Sequence, residues 1–408
     1  MLSVDIVNKI IKEFGSPCYV FDQMEFTDNY HHLLSTMRSF YSKYNIAYSY
    51  KTNYTPYVCK CVKELGGMAE VVSDMEYDLA KKLGYENSNI IYNGPYKGEA
   101  LEEHAIKHGI INIDCFDEAV RIVSIAEKNK KVDFRVGIRL NLNIGAGFVS
   151  RFGIEVNSTS LEKTIKLLIS RPNIHLAGFH IHISRARSLE FWKKRVDQLL
   201  QAVDKYFIGA PDYIDVGSGM YGSMESSLEV QFGPNVPNYD EYARVVAGTV
   251  KEHYEKSRKK PLLISEPGTT IVSKYWYLIT RVIQDKKIAG VQFSTVDSSF
   301  QNVGEICTIK KLPFYVLRNG QILDEKSSRK IDVLGYTCLE QDRLYSDCRV
   351  AIKKDDILVF GNVGGYSIVN KPPFIHPNFK ALCLDSNRNV LIIKRDETFD
   401  DIFRSFVI

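Results

Sequence analysis

The feature that most constrains this chain is a rhythm. Between about residues 45 and 266, eight short apolar runs alternate with longer amphipathic stretches. The runs are 46–50, 68–72, 89–92, 110–113, 134–140, 175–183, 213–216 and 262–265. The segments between them, such as TPYVCKCVKEL, DEAVRIVSIAEKNKK and LEFWKKRVDQLLQAVDKY, place apolar residues at helical spacing with charges opposite. Eight strand–helix alternations in some 220 residues predict an α/β fold, a (β/α)8 TIM barrel, whose working face lies at the strand C-termini. After residue 270 the pattern becomes β-rich, and DSNRN between ALCL and VLII reads as a hairpin turn. A C-terminal, mainly antiparallel β-domain is expected there. The domain expectation is therefore 1–27 as an N-terminal segment joining the β-domain, 28–270 as the barrel and 271–408 as the β-domain.

Composition excludes several classes. Of 408 residues, 45% are hydrophobic and 25% charged, so the chain has the means to bury a core. Its net charge of +4 balances 53 basic against 49 acidic residues, with no basic block, and no nucleic-acid partner is expected. The N-terminus, MLSVDIVNKIIKEFGSP, does not read as a signal peptide, and no uninterrupted apolar window suits a membrane span. Eight cysteines without a CxxC pair resemble neither a zinc site nor a disulfide framework, so no metal is expected and the cytoplasm is the natural compartment.

Barrel logic directs attention to polar residues at or just past each strand end: Lys51, Ser73, Asn93, Arg139, His182, Gly217-Ser218-Gly219 and Glu266-Pro267-Gly268. A lysine, a histidine, a glycine turn and an acid at one mouth suit an aldehyde cofactor with a phosphate tail. Taken singly, each has a plainer reading. Lys51 is then a surface lysine, Arg139 an ion-pair partner, Gly217–Gly219 a tight turn, Tyr366 core and Cys338 a small buried hydrophobe. His180 and His182 lie two apart on a strand, so periodicity does not choose between them.

In order along the chain, these segments resemble the fold-type III pyridoxal-phosphate (PLP) decarboxylases, which include ornithine, diaminopimelate and carboxynorspermidine decarboxylases and share the alanine-racemase-like barrel. YSYKTN resembles Y-A-x-K-A-N and implies Lys51 as the lysine that bonds the cofactor. EVVSDME is similar to an acid-x-x-Ser-x-x-Glu segment, giving Glu70, Ser73 and Glu76. GFHIHIS implies His182 as the ring-stacking histidine, and IDVGSG implies a phosphate loop at Gly217, Ser218 and Gly219. EPG at 266–268 resembles EPGR, with Glu266 toward the pyridine nitrogen and Gly268 beside it. GYTCLEQD resembles G-P-x-C-x-x-x-D, implying that Cys338 reaches across a homodimer interface into a shared active site. GGY implies that Tyr366 touches the phosphate. Arg139 joins the cofactor set.

The departures matter as much. Thr269 stands where the family carries the EPGR arginine, and Ser184-Arg185 replaces Gly-Ser after the histidine. Arg185 is therefore expected to supply the phosphate's charge and Thr269 a hydroxyl. Leu339 follows Cys338 where diamine-forming members carry an acid, and Glu305 falls near where a diaminopimelate enzyme places an arginine. These weigh against diaminopimelate and plain ornithine; Glu305 or Glu340 is the candidate for a distal amine. The expected function is decarboxylation of a diamino or related specialised amino acid. The alternatives are a racemase of the same fold, disfavoured because alanine-type racemases pair the pyridine nitrogen with arginine, and a catalytically silent binding homologue.

Overall fold

The computed structural model describes residues 1–407 and divides into two compact units. One comprises Asn29–Gly222 and Asn235–Thr270, the other Met1–Asp28, Ser223–Pro234 and the chain from Ile271 onward. No helix among the described residues is long and apolar enough to cross a membrane.

The first unit is the barrel that the alternation demands. Its strands are β1 (Tyr44–Ser49), β2 (Met68–Val71), β3 (Ile90–Tyr92), β4 (Ile110–Ile113), β5 (Phe134–Asn141), β6 (Ile174–His180), β7 (Tyr213–Asp215) and β8 (Leu262–Ser265). Each pairs in parallel with its neighbours, and β8 closes on β1 through Leu263–Tyr44, Ile264–Asn45 and Ser265–Ile46. Parallel strands are covered on both faces, so they read as near-continuous apolar runs, and β2, β3 and β4 are buried at every residue. Helices such as Phe116–Lys128, Thr159–Ile169 and Leu189–Tyr206 bury one apolar stripe each.

Alternate strand residues share a face. Ala47, Met68, Ile91, Ile110, Ala177, Tyr213 and Ile264 form one buried apolar cluster. One pleat further toward the strand C-termini, two residues on, stand Ser49, Glu70, Asn93, Asn112, Asp215 and Glu266, all buried. The barrel is thus plugged by an apolar layer with a polar layer above it, and the site is that upper layer.

The second unit centres on a sheet in which Cys18–Asp22 lies between Trp276–Ile288, antiparallel, and Ala381–Leu384, parallel. Most of its other pairings are antiparallel. Val20, Tyr277, Ile279, Val359 and Leu382 belong to its core. The hairpin expected at DSNRN is present: the Asp385 carboxylate accepts from the Asn387 and Asn389 amides, and Arg388 takes the positive φ of 64° that the turn requires. Ser223–Pro234 groups with this unit although it interrupts the stretch that the rhythm assigns to the barrel. The Gln231 side chain explains the attachment, since it both donates to the Lys311 carbonyl and accepts from the Lys311 amide.

Candidate active site

At the barrel's C-terminal mouth a single buried network joins seven strands. Lys51 sits on the 3-10 turn Tyr50–Thr52 directly after β1, with about a third of its side chain exposed. Its Nζ donates to Glu70 Oε2, which also accepts from Ser49 Oγ at 2.5 Å. Glu70 Oε1 accepts from Asn93 Nδ2 at 3.1 Å, and the same amide donates to Glu266 Oε1 at 2.5 Å. Asn93 in turn accepts from Asn112, and Asn112 accepts from the Tyr213 hydroxyl at 2.6 Å. The second oxygen of Glu266 lies 3.0 Å from His180 Nε2. Two carboxylates are therefore spaced by one amide, which holds each in a fixed rotamer.

Electrostatics separate the acids. Burial works to raise the Glu266 carboxyl, but His180, by charge and hydrogen bond, and Lys51 more than offset it and hold it below the usual carboxylate range. Asp215 moves the other way, pushed up by burial and by the negative charge of Glu266. The two acids are thus driven apart, Glu266 toward the carboxylate and Asp215 toward the protonated form. His180, Asp215 and Glu266 each bring a ligand atom within 4.8 Å of the others, a cluster drawn from three strands that no linear spacing would disclose.

His182 lies past the end of β6, which stops at His180 rather than running to Ile183 as the apolar run suggests. The two histidines consequently do not serve one role. His180 binds Glu266, whereas His182 Nδ1 accepts from the Ser218 amide at 3.2 Å. Desolvation of its ring, with the Lys51 charge adding, holds the His182 imidazole well below its ordinary value, so it is neutral. Close packing between the two strand ends dictates the glycines: a Cβ on Gly217 would stand 2.3 Å from the Ile181 carbonyl, and one on Gly219 2.8 Å from that of Ile183. Both have positive φ, 59° and 113°. Gly268 has no room for a side chain because Thr52 Oγ1 would lie 1.9 Å away. Three polar atoms here are buried without a hydrogen-bond partner: His180 Nδ1, Asp215 Oδ2 and Ser218 Oγ. Such atoms are scarce in folded proteins and mark places where a ligand completes the bonding.

The remaining sequence candidates divide. Arg139 is buried beside this network, 3.5 Å from Asp114 and with its guanidinium 4.7 Å above the Phe152 ring. Thr269 is half-buried at the start of the helical turn Thr269–Val272, and Arg185 is exposed on the loop after β6. Ser73 and Glu76 are spent on the helix Asp74–Lys82: Ser73 Oγ caps it by accepting from the Glu76 amide, and Glu76 accepts from the Val72 amide. Of that motif only Glu70 reaches Lys51.

The second unit carries its candidates differently. Cys338, Glu340, Glu305 and Tyr366 are exposed and Leu339 half-buried. The loop bearing Cys338 is clamped by buried Asp342, which accepts from the Phe300 amide, the Thr337 amide and the Thr337 hydroxyl. Gly335 is required there because a Cβ would sit 2.2 Å from that carboxylate. Tyr366 holds φ of 56°, a strained conformation for a tyrosine.

Periodicity sets His180 only against His182, and it does not single out Asn112 or Asp215. The signal that finds them is the two-residue step above an apolar inner layer: Asn112 follows Ile110 and Asp215 follows Tyr213 in that way.

Comparison with known proteins places these residues in context. The family described as pyridoxal-dependent decarboxylase, pyridoxal binding domain, matches residues 28–273. The diaminopimelate decarboxylase of Methanothermobacter thermautotrophicus is 26% identical over 97% of this chain and 92% of its own length. The L-glutamyl-[BtrI acyl-carrier protein] decarboxylase of Niallia circulans is 24% identical over 97% and 95%. Among solved structures, the diaminopimelate decarboxylase of M. jannaschii aligns with a TM-score of 0.86 at 21% identity, covering 98% of this chain and 94% of that one.

Proposed function

This chain belongs to the pyridoxal-dependent decarboxylases, and from that premise we propose that it holds pyridoxal phosphate on Lys51 and removes the α-carboxylate of an amino acid. The observation that carries the reading is the pairing of Lys51 with Glu70 beside a second carboxylate, Glu266, that the network keeps ionised. The donor set fits the cofactor. The orphaned Ser218 hydroxyl and the glycines of 217–219 suit its phosphate, and ionised Glu266 suits its pyridine nitrogen.

When bound, the cofactor supplies an electron sink for the pair released from the Cα–carboxylate bond. The chain supplies position and charge. Lys51 Nζ must lose a proton before it can bond an aldehyde carbon, and Glu70 Oε2 is its immediate acceptor. Glu266, fixed by Asn93 and His180, would hold a proton on the cofactor's ring nitrogen. Neutral His182, tethered to the Ser218 amide, offers a flat uncharged face for ring stacking. Arg139 adds positive charge to a mouth rich in carboxylates. Thr269, Gly268 and Tyr366 complete the proposed cofactor set.

The same reading assigns Cys338 of a partner subunit to protonate Cα, in a homodimer with shared sites. Glu305 and Glu340, exposed carboxylates, are assigned to a distal amine of a diamino or related specialised amino acid, with Leu339 lining that end. Eight free thiols support a reducing compartment, the cytoplasm. The two units are read as a cofactor-binding domain and a β-domain.

The test is borohydride reduction of protein mixed with pyridoxal phosphate, followed by peptide mass analysis and carbon dioxide release. The substrate panel holds both enantiomers of diamino, acidic and guanidino acids, with diaminopimelate and carrier-protein-linked glutamate included. A pyridoxyl mass on the Lys51 peptide with carbon dioxide release is expected. A bare Lys51 peptide sinks the reading; interconversion of enantiomers without carbon dioxide replaces it with a racemase.

A further inference from the structure

Arg195 is an anomalous cation. It projects from the helix Leu189–Tyr206 and is fully buried. A guanidinium taken out of water is ordinarily met by a carboxylate, because desolvation is costly and an opposite charge offsets it. Here the bonded partners are main-chain carbonyls: Nη2 donates to Ala186 O, and Nη1 to Ser218 O at 3.4 Å. The Trp192 ring lies 4.5 Å from Cζ, and Nε is buried without a hydrogen-bond partner. The ionisable groups that bear on it are the Tyr242 phenol and Arg187, neither of them a carboxylate. Burial pulls it down to about 9, so it remains a cation at neutral pH.

Its position gives this uncompensated charge a use. Arg195 holds together the loops that follow β6 and β7, including the Gly217–Gly219 turn. Ser218 O and the Gly219 amide are opposite ends of one peptide unit. In a trans peptide they point in opposite directions, so the carbonyl faces Arg195 while the N–H faces away across the loop. A cation at the carbonyl polarises that unit and makes the N–H a stronger donor. The Ser218 hydroxyl, on the same residue, is one of the buried groups still lacking a partner.

We propose that Arg195 is the buried counter-cation of the cofactor's phosphate, acting through the Ser218–Gly219 peptide in the place that Thr269 leaves without charge. This rests on the reading that pyridoxal phosphate binds at the barrel mouth. It displaces Arg185 from that role: an exposed charge is screened by water and salt, whereas a buried one acts through a poorly polarisable medium. Arg195 is a positioning residue, since it meets the phosphate only through the loop.

The deciding measurement compares dissociation constants for pyridoxal phosphate and for pyridoxal, which lacks the phosphate, in the full-length protein. In Arg195→Met the preference for the phosphorylated form should fall about tenfold or more while pyridoxal binding is retained; Arg195→Lys should keep most of that preference. Equal weakening toward both compounds, or an unchanged preference, overturns the proposal, because a merely structural arginine cannot tell the two apart. Should the Met variant not fold, Arg195→Gln against Arg195→Lys gives the same comparison of neutral with charged. Failure of wild-type protein to bind either compound at Lys51 would instead sink the underlying cofactor reading, and so the two failures are distinct.

Discussion

The two units carry their chemistry in opposite ways. In the barrel, Glu70, Asn93, Asn112, Asp215 and Glu266 are all buried and most of their polar atoms are mutually satisfied. In the β-unit, Cys338, Glu340, Glu305 and Tyr366 are exposed, and the buried polar work is done beneath them by Asp342. A buried network sets charge state and orientation because low dielectric magnifies every contact. An exposed group on a clamped loop is fixed in place yet open to solvent, and so can be offered to something else. The barrel therefore tunes; the β-unit presents.

Four measurements would break or sharpen that contrast. The largest effect is expected for Glu266→Gln, which keeps the shape but removes the charge that His180 and Asn93 hold in place. Turnover should fall by about 10² to 10³ with cofactor still bound, read from carbon dioxide release. A loss below tenfold would mean that the network does not tune the site.

Next is the pH response of the barrel itself. Burial pushes the His104 imidazole down to about 4, and it is buried between Asn87 and the Ile110 carbonyl. Its folded value lies below the unfolded one near 6.5, so the unfolded chain takes up the proton first. Stability is whole above about pH 6.5 and is lost as pH falls toward 4, by at most about 3 kcal/mol. Thermal unfolding across that window should show the slope in wild type and a flatter profile in His104→Gln. An identical slope in both would remove His104 as the cause.

Cys338→Ala should lower turnover by about 10²-fold, leaving cofactor affinity unchanged, as befits a presented rather than tuning residue. Mixing Lys51→Ala with Cys338→Ala subunits should restore roughly a quarter of wild-type activity if each site draws on both chains of a twofold dimer. No restoration after subunit exchange would place the thiol's action within its own chain.

The smallest effect is expected at the clamp. Asp342→Asn loses one charged acceptor and should cost about 1 to 3 kcal/mol of stability, with faster amide exchange confined to the 335–342 loop. Spread of that exchange into the barrel strands would contradict a clamp local to the β-unit.

The barrel strands were legible because parallel strands covered on both faces leave apolar runs that cannot be mistaken for loops. Lys51 and Glu266 were legible for a related reason: both lie directly after such runs, at the working face. Other assignments needed contact information. The acid-x-x-Ser-x-x-Glu segment looked like one functional unit, yet Ser73 and Glu76 cap a helix while Glu70 alone turns to Lys51. Arg195 sits in the middle of an ordinary amphipathic helix and carries no local mark of burial.

Taken alone, the order of residues determined the barrel and its working end, since these follow from periodicity; it placed Lys51 just past a strand, and the choice of that lysine for the cofactor came from the resemblance of YSYKTN to a family motif. Tertiary structure decided which histidine meets Glu266, how one amide spaces two carboxylates, and which arginine is buried without an acid. Those depend on distances between residues far apart in the chain, and on how much water is excluded around each, neither of which local sequence encodes.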